Sequence, residues 1–369
     1  MQVLKSPFIF AHVENPMLFQ FSKETSDAII FNIAVQGKNN YFTAYPIYDP
    51  VNEVYIINFD LAPFLKPYFE DLSLMFMGYS FTIDSENTVV GYAVRGGISK
   101  RQFMQLMDMD SEIFSYRLLS AQRQYLLTTR TQENTINIRR GELRYVYFFR
   151  DPNNSITFTA TGLTPQVYAA DQFDLECFDV VQWMGATQVN QITITKATHT
   201  TIINIVDNTP ENPILLMFRN SLGVFEHFQL TGKGASHPNI TKDEYYKYNE
   251  DYGDFSKLNT RGLSNEYIEV ETGYKNKEEL MFIQDLLFSG EVYLITGTEE
   301  LPCRVSSKDF KIPLVINTPQ SVPIRIDPAD EESHYTDLTP IQVGPVPPIV
   351  GDEVLMSPSG SIIFAYITV

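Results

Sequence analysis

Apolar and polar residues alternate with a period of two over much of the chain. Ile29, Phe31, Ile33 and Val35 interleave with Ile30, Asn32 and Ala34, and Ile156, Phe158 and Ala160 interleave with Ser155, Thr157, Thr159 and Thr161. Successive side chains of a strand point to opposite faces, so the pattern predicts half-buried strands. It also predicts strands over Val54–Asp60, Ile192–Thr195, Ile202–Val206, Ile268–Thr272, Val292–Ile295 and Ile362–Thr368. Three Pro-bearing turns punctuate these runs: Asp49-Pro50-Val51-Asn52, Asp151-Pro152-Asn153-Asn154 and Ser357-Pro358-Ser359-Gly360. Proline presets the second turn residue and the polar residue before it can bond the backbone, so each is read as a hairpin turn.

Helical periodicity is scarce. Lys277 to Phe288 carries Leu280, Ile283, Leu286 and Leu287 on one face, with Asn276 and Glu279 spaced as a capping box and Ser289-Gly290 as the stop. A second helix is expected from Ser99, with Phe103, Leu106 and Met107 on one side. Tyr116–Thr129 fits helix or strand, and Pro63 and Pro67 limit Leu61–Glu70 to a short helical turn. The fold class is therefore mainly β, in β-sandwich or β-barrel-like units with a few short helices. Breaks in the pattern divide it into several domains: 1–97, closed by Gly96-Gly97; 98–208; 214–334; and a Pro-rich arm, 335–369, ending in a hairpin.

Composition narrows the function. The 369 residues hold 45 acidic and 27 basic side chains, a net charge of -18, so no basic stripe is offered to a nucleic-acid backbone. Aromatic residues reach 13%, which suits pleated, half-buried surfaces. The apolar runs are strand-sized, too short for membrane insertion, and the first residues lack the apolar stretch of a signal peptide. Cys177 and Cys303 stand far apart without neighbours, which excludes CxxC chemistry; one disulfide between them is open, and two buried free thiols are the expected state.

Catalytic templates fail in turn. Gly232-Lys233 runs on into Gly234, not into the Ser or Thr of a phosphate loop, and Gly262-Leu263-Ser264-Asn265-Glu266 is not a nucleophile elbow. Five histidines without an HExxH make a poor zinc hydrolase, and acidic residues such as Glu142, Glu176 or Glu269 form no marked pair. No catalytic or cofactor-binding residue is predicted. Asp327, Asp330, Glu331, Glu332 and Asp337 cluster in the Asp327–Asp337 loop, where carboxylates can coordinate Ca²⁺, but without EF-hand spacing the reading is a solvated connector.

Two segments point to interfaces. Tyr245, Tyr246, Tyr248, Tyr252 and Phe255 place five large rings in eleven positions among acidic residues. Such a cluster either folds onto its own domain or forms an interface, where Tyr is enriched. The last strand, with Ile362, Phe364 and Tyr366, is too apolar to stay bare. The extended Pro340–Pro348 stretch can deliver it to a sheet in the same or a neighbouring subunit.

Several stretches occur together in a telling order. Pro7-Phe8-Ile9-Phe10 and Asn15-Pro16-Met17 lead to Tyr41-Phe42-Thr43-Ala44-Tyr45-Pro46, then to Asp60–Glu70 and Tyr92–Ser99. Leu215–Gly232 and Glu271–Ile295 follow, and the strand, Asn-x-Leu-Gly turn and aromatic strand of Phe218–Thr231 is the most specific part. This order resembles tail-associated structural proteins of tailed phages and prophages of Bacteroidota. The resemblance implies a virion component made in the host cytoplasm, such as a tail, tip, baseplate or connector subunit. It would act by ring assembly with identical subunits and other virion tail proteins, without catalysis. The alternative is a secreted or surface β-sandwich binding module recognising glycan or protein.

Overall fold

The computed structural model describes residues 2–333 apart from 7–9, 73, 84–86, 101–102, 105–125, 131–134, 151, 208–212, 242–243, 250–252, 260–262, 298, 314–317 and 330–331. The alternating segments form sheets, and the protein is mainly β. Two compact units are formed: Met1–Thr241 with Ser264–Glu332, and Lys242–Leu263 with Ser333–Val369.

The larger unit begins with β1 (Gln2–Lys5), β2 (Phe10–His12), β3 (Leu18–Lys23), β4 (Ile29–Val35), β5 (Lys38–Ala44), β6 (Ile47–Asp49), β7 (Val54–Asp60), β8 (Phe76–Ile83) and β9 (Asn87–Val94). They make a sandwich of two sheets, ordered β1-β3-β7-β6 and β2-β9-β8-β4-β5. Phe19 and Phe21 of the first sheet meet Phe31 and Phe81 of the second, with the Phe19 and Phe81 rings stacked at 4.3 Å. Parallel offset stacking is favourable beyond the area it removes from water.

Helix α1 (Ala62–Leu72) closes this sandwich and corrects the expectation of a mere turn. Pro63 lies in the first helical turn, where an N–H needs no helical partner. Pro67 withholds a donor only from the Pro63 carbonyl. The Asp60 carboxylate accepts from the N–H groups of Ala62 and Met17 at 3.0 and 2.9 Å, while Leu61, Leu65 and Phe69 are buried at four-residue spacing. Burial of that stripe outweighs one missing bond.

Next come β10 (Thr135–Arg139), β11 (Tyr145–Arg150), β12 (Ile156–Ala160), β13 (Gln166–Tyr168), β14 (Asp174–Asp179), β15 (Gln191–Lys196) and β16 (His199–Val206). A sheet ordered β10-β16-β15-β12-β13 packs against the β11–β14 pair, with Phe158 and Phe178 at 4.4 Å. The Pro152 turn thus joins two different sheets and is not a hairpin turn. The short helix α2 (Val180–Met184) starts where the Asp179 side chain accepts from the Gln182 N–H.

The remaining strands are β17 (Ile214–Arg219), β18 (Phe225–Leu230), β19 (Gly234–Thr241), β20 (Glu244–Asn249), β21 (Asp254–Asn259), β22 (Leu263–Glu271), β23 (Val292–Thr296), β24 (Glu299–Ser306), β25 (Pro323–Pro328) and β26 (Glu332–Ser333). A large sheet runs β18-β17-β23-β24-β25-β22-β19, with β26 paired to β22, and among the described residues β20 pairs only with β21. Helix α3 (Lys277–Phe288) has its full capping box at Asn276 and Glu279. Its buried Leu280, Phe282, Ile283 and Leu286 share a core with Phe218 and Phe228 of the sheet. Near Ser99, the Phe103 N–H bonds the Ser99 carbonyl in a helical turn, while Leu106, Met107 and 116–125 lie outside the described residues. Leu126 bridges to Phe148, so the end of the ambiguous segment is extended.

Candidate functional site: an exposed aromatic hairpin

β20 and β21 pair antiparallel with Tyr245 opposite Leu258, Tyr246 opposite Lys257 and Tyr248 opposite Phe255. Directly opposed residues share a face. One face therefore carries Tyr246, Tyr248, Phe255 and Lys257, and the other carries Tyr245, Lys247 and Leu258. The Tyr248 and Phe255 rings meet edge to face at 5.2 Å, and Lys257 pairs with Glu244. Tyr246 is nonetheless 66% exposed and Phe255 62%. A two-stranded ribbon alone in water is marginal. Tyr252, Ile362, Phe364 and Tyr366 lie outside the described residues.

A second exposed apolar surface escaped the sequence reading. In the segment Tyr45-Pro46-Ile47-Tyr48-Asp49-Pro50-Val51, Tyr45 is 76%, Ile47 74% and Val51 85% exposed, and Tyr48 is exposed as well. The segment includes β6, an edge strand of its sheet, and follows β5, the edge of the other. The Asp49 carboxylate holds the turn by accepting from the Val51 N–H at 2.9 Å and the Asn52 amide at 2.7 Å. The signal lay in plain view: large apolar residues between two prolines, which commonly guard sheet edges.

The polar groups with the most perturbed surroundings sit inside the larger unit, where its three cores meet. Glu226 accepts from Thr128 Oγ1 at 2.6 Å, from the Thr129 N–H at 3.1 Å and from Asn220 Nδ2 at 2.7 Å. Asn220 Nδ2 also donates to the Leu127 carbonyl, and its Oδ1 accepts from the Leu222 and Val224 N–H groups. Arg130 pairs with buried Glu142 at 3.0 Å and donates to the His227 carbonyl at 2.8 Å. Its guanidinium lies 4.0 Å from the Phe282 ring centre.

Burial, with Arg144 and Arg130 nearby, pushes His227 down to about 4, so its imidazole is neutral at physiological pH. Burial likewise lowers Lys275 and raises Asp285. A cavity of about 40 Å³ beside Glu226, Thr128 and Tyr147 has room for a water or two. Ligand sites span roughly 300–1,000 Å³. This arrangement ties the cores together.

Glu291 extends the lock by pairing with both Arg95 and Arg219. The turns that bring these groups together almost touch: a β-carbon on Gly223, at φ +88°, would overlap the Arg95 carbonyl. The Gly97 N–H bonds the Ser221 carbonyl at 2.9 Å.

The remaining sequence expectations divide. Cys303 is buried and its thiol is pushed up to about 11, whereas Cys177 is exposed, correcting the expectation of two buried thiols. Cys177 lies on β14 opposite Tyr147, and local burial still raises its thiol. In the Asp327–Asp337 loop, Asp327 is taken by a bidentate pair with Arg325, and Asp330, Glu331 and Asp337 lie outside the described residues. Among the described residues no group of three or more His, Cys, Asp or Glu is placed to hold a metal, and no helix is long and apolar enough to cross a membrane. Compared with known proteins, the chain matches no family model and no curated sequence.

Proposed function

We propose that the chain is a structural component of a tailed-phage virion: a tail, tip, baseplate or connector subunit. It assembles in a ring with identical copies and with other tail proteins, and does so without catalysis. The observation that carries this reading is the hairpin, whose aromatic residues face water on both sides. Large exposed apolar patches mark interaction sites. The order of segments that resembles phage tail proteins supplies the setting. The test is mass spectrometry and antibody labelling of purified particles from a host carrying the gene. Stoichiometric presence at one position on the tail is expected. Particles that contain none of the protein would sink the reading.

A second reading, a binding module for glycan or protein, is supported by one groove of about 470 Å³ in the larger unit. Its lining includes Ala34, Gly78, Ser80, Tyr92, Gln172 and Asp174. Saturable binding on a glycan array, lost in Tyr92→Ala, would favour this module over the virion subunit.

A further inference from the structure

A pocket of about 390 Å³, within the size range of ligand sites, opens in the larger unit on the face of the large sheet turned away from α3. Its lining includes Glu70 of α1, Arg95 after β9, Arg219 of β17, Glu291 just before β23, Tyr293 of β23 and Glu300 of β24.

The two arginines are already engaged. Glu291 accepts from Arg219 Nε at 2.8 Å and pairs with Arg95 through its other oxygen. Arg219 also donates to the Gly223 carbonyl at 2.9 Å, and its guanidinium lies 4.3 Å from the Phe225 ring centre. Glu70 and Glu300 differ: both are exposed, and among the described residues their carboxylates hold no hydrogen bond or ion pair. Lys66, one turn before Glu70, is bonded to Glu14. The pocket therefore sets Glu70, Glu291 and Glu300 against Arg95 and Arg219, and one further positive charge would balance it.

One side of the pocket shows what such a charge needs. Arg219 lies over an aromatic ring, Phe225, and pairs with a carboxylate, Glu291, a combination that suits a planar guanidinium. Tyr293, whose ring meets Phe225 edge to face at 6.1 Å, lines the same pocket with Glu70 and Glu300 and offers the same combination. An anion is disfavoured, because it would have to displace Glu291 from both arginines and then face two more carboxylates. We propose that the pocket receives the guanidinium group of an arginine side chain on a partner protein, paired with Glu70 and Glu300 and packed on Tyr293. A planar fork of donors can engage two carboxylates at once, which a point-like ammonium does less well. The net charge of -18 favours a partner with a basic surface.

The experiment is isothermal titration of the full-length chain with capped probes: N-acetyl-arginine methylamide, its citrulline analogue, which keeps the shape and loses the charge, and its glutamate analogue. The arginine probe should bind saturably and about tenfold more tightly than the citrulline probe. Glu70→Gln and Glu300→Gln should each weaken it by about fivefold, as for an exposed ion pair. Glu299→Gln removes the same charge from the opposite face of β24 and should leave binding unchanged. Thermal melting establishes that the three variants fold as the parent does. A short peptide with a central arginine should bind more tightly than free arginine, whose own carboxylate is repelled by the pocket.

Equal affinity for the arginine and citrulline probes, or no saturable binding of either, would overturn the proposal. Tighter binding of the glutamate probe would overturn it by making the pocket an anion site. Equal losses in Glu299→Gln and Glu300→Gln would reduce the effect to the general field of an acidic chain and would overturn it too. Free arginine binding more tightly than the peptide would make the ligand a small molecule and remove the partner.

Discussion

Strands β3 and β20 are built alike. In one, Phe19 and Phe21 flank Gln20; in the other, Tyr246 and Tyr248 flank Lys247. Their fates are opposite. Both phenylalanines are 0% exposed, while the tyrosines stand in water. β3 has β1 and β7 at its sides and the rings of Phe31 and Phe81 across the sandwich. β20 has β21 alone. Alternating rings specify a strand; the number of neighbouring strands and layers decides how far those rings are buried in the fold. That difference separates residues that hold the fold from residues free to serve another purpose.

The contrast is sharpest in mutational energetics. Phe81→Ala removes a ring that touches Phe19, Phe21, Phe31 and Phe59. Denaturant titration should show a loss of about 3–5 kcal/mol. A loss under 1 kcal/mol would mean that the sandwich core is loosely packed, and the comparison would fail.

Arg130→Met tests the interior lock. It removes the ion-pair partner of Glu142, which is at 3% side-chain exposure. Breaking a buried pair from one side costs about 3–5 kcal/mol. Simultaneous Glu142→Leu should recover a good part of that, and a double-mutant cycle measures the coupling.

A smaller effect is expected from pH. His227 falls from an ordinary value of 6.5 to about 4 in the folded chain, so between these values the unfolded chain binds the extra proton. Stability from this group is therefore fully present above about pH 6.5 and lost as pH falls towards 4, by at most about 3 kcal/mol. Comparing the melting temperatures of parent and His227→Gln from pH 7 to pH 4.5 isolates it. Equal slopes for both proteins would contradict the assignment.

The smallest effect belongs to the hairpin. Tyr246→Ser should change the unfolding free energy of dilute monomer by no more than about 0.5 kcal/mol, as at other exposed sites. A loss of several kcal/mol would show that the rings serve the monomer after all.

Local chemistry was the readable part of this chain. The capping box of α3 needs only Asn276 and Glu279, three residues apart, and the Asp49 turn only its neighbours. Misreadings arose where packing overrode a local rule. α1 continues through Pro67 because Leu61, Leu65 and Phe69 are buried beneath it. The Pro152 turn leads into another sheet because β11 pairs with β14 and not with β12. The interior lock was invisible for a different reason. Glu226 meets Thr128 across 98 residues and Gln229 meets Glu142 across 87, separations at which no spacing rule operates. The hairpin cluster could be seen as rings in a row, but its exposure depends on tertiary packing, which no window of residues records.

The Arg95–Glu291 pair also sets a schedule. Its two residues lie 196 positions apart, so a ribosome adding about 5–20 residues per second delivers the second roughly 10–40 s after the first. Each alternating segment of the first sandwich is already outside by then and can pair. The Gly96-Gly97 turn must wait, its docking face bare, until the Asn220 turn and Glu291 arrive. The nascent protein therefore passes through a stage with a finished sandwich and an unfilled socket, and the last turn to arrive completes the body.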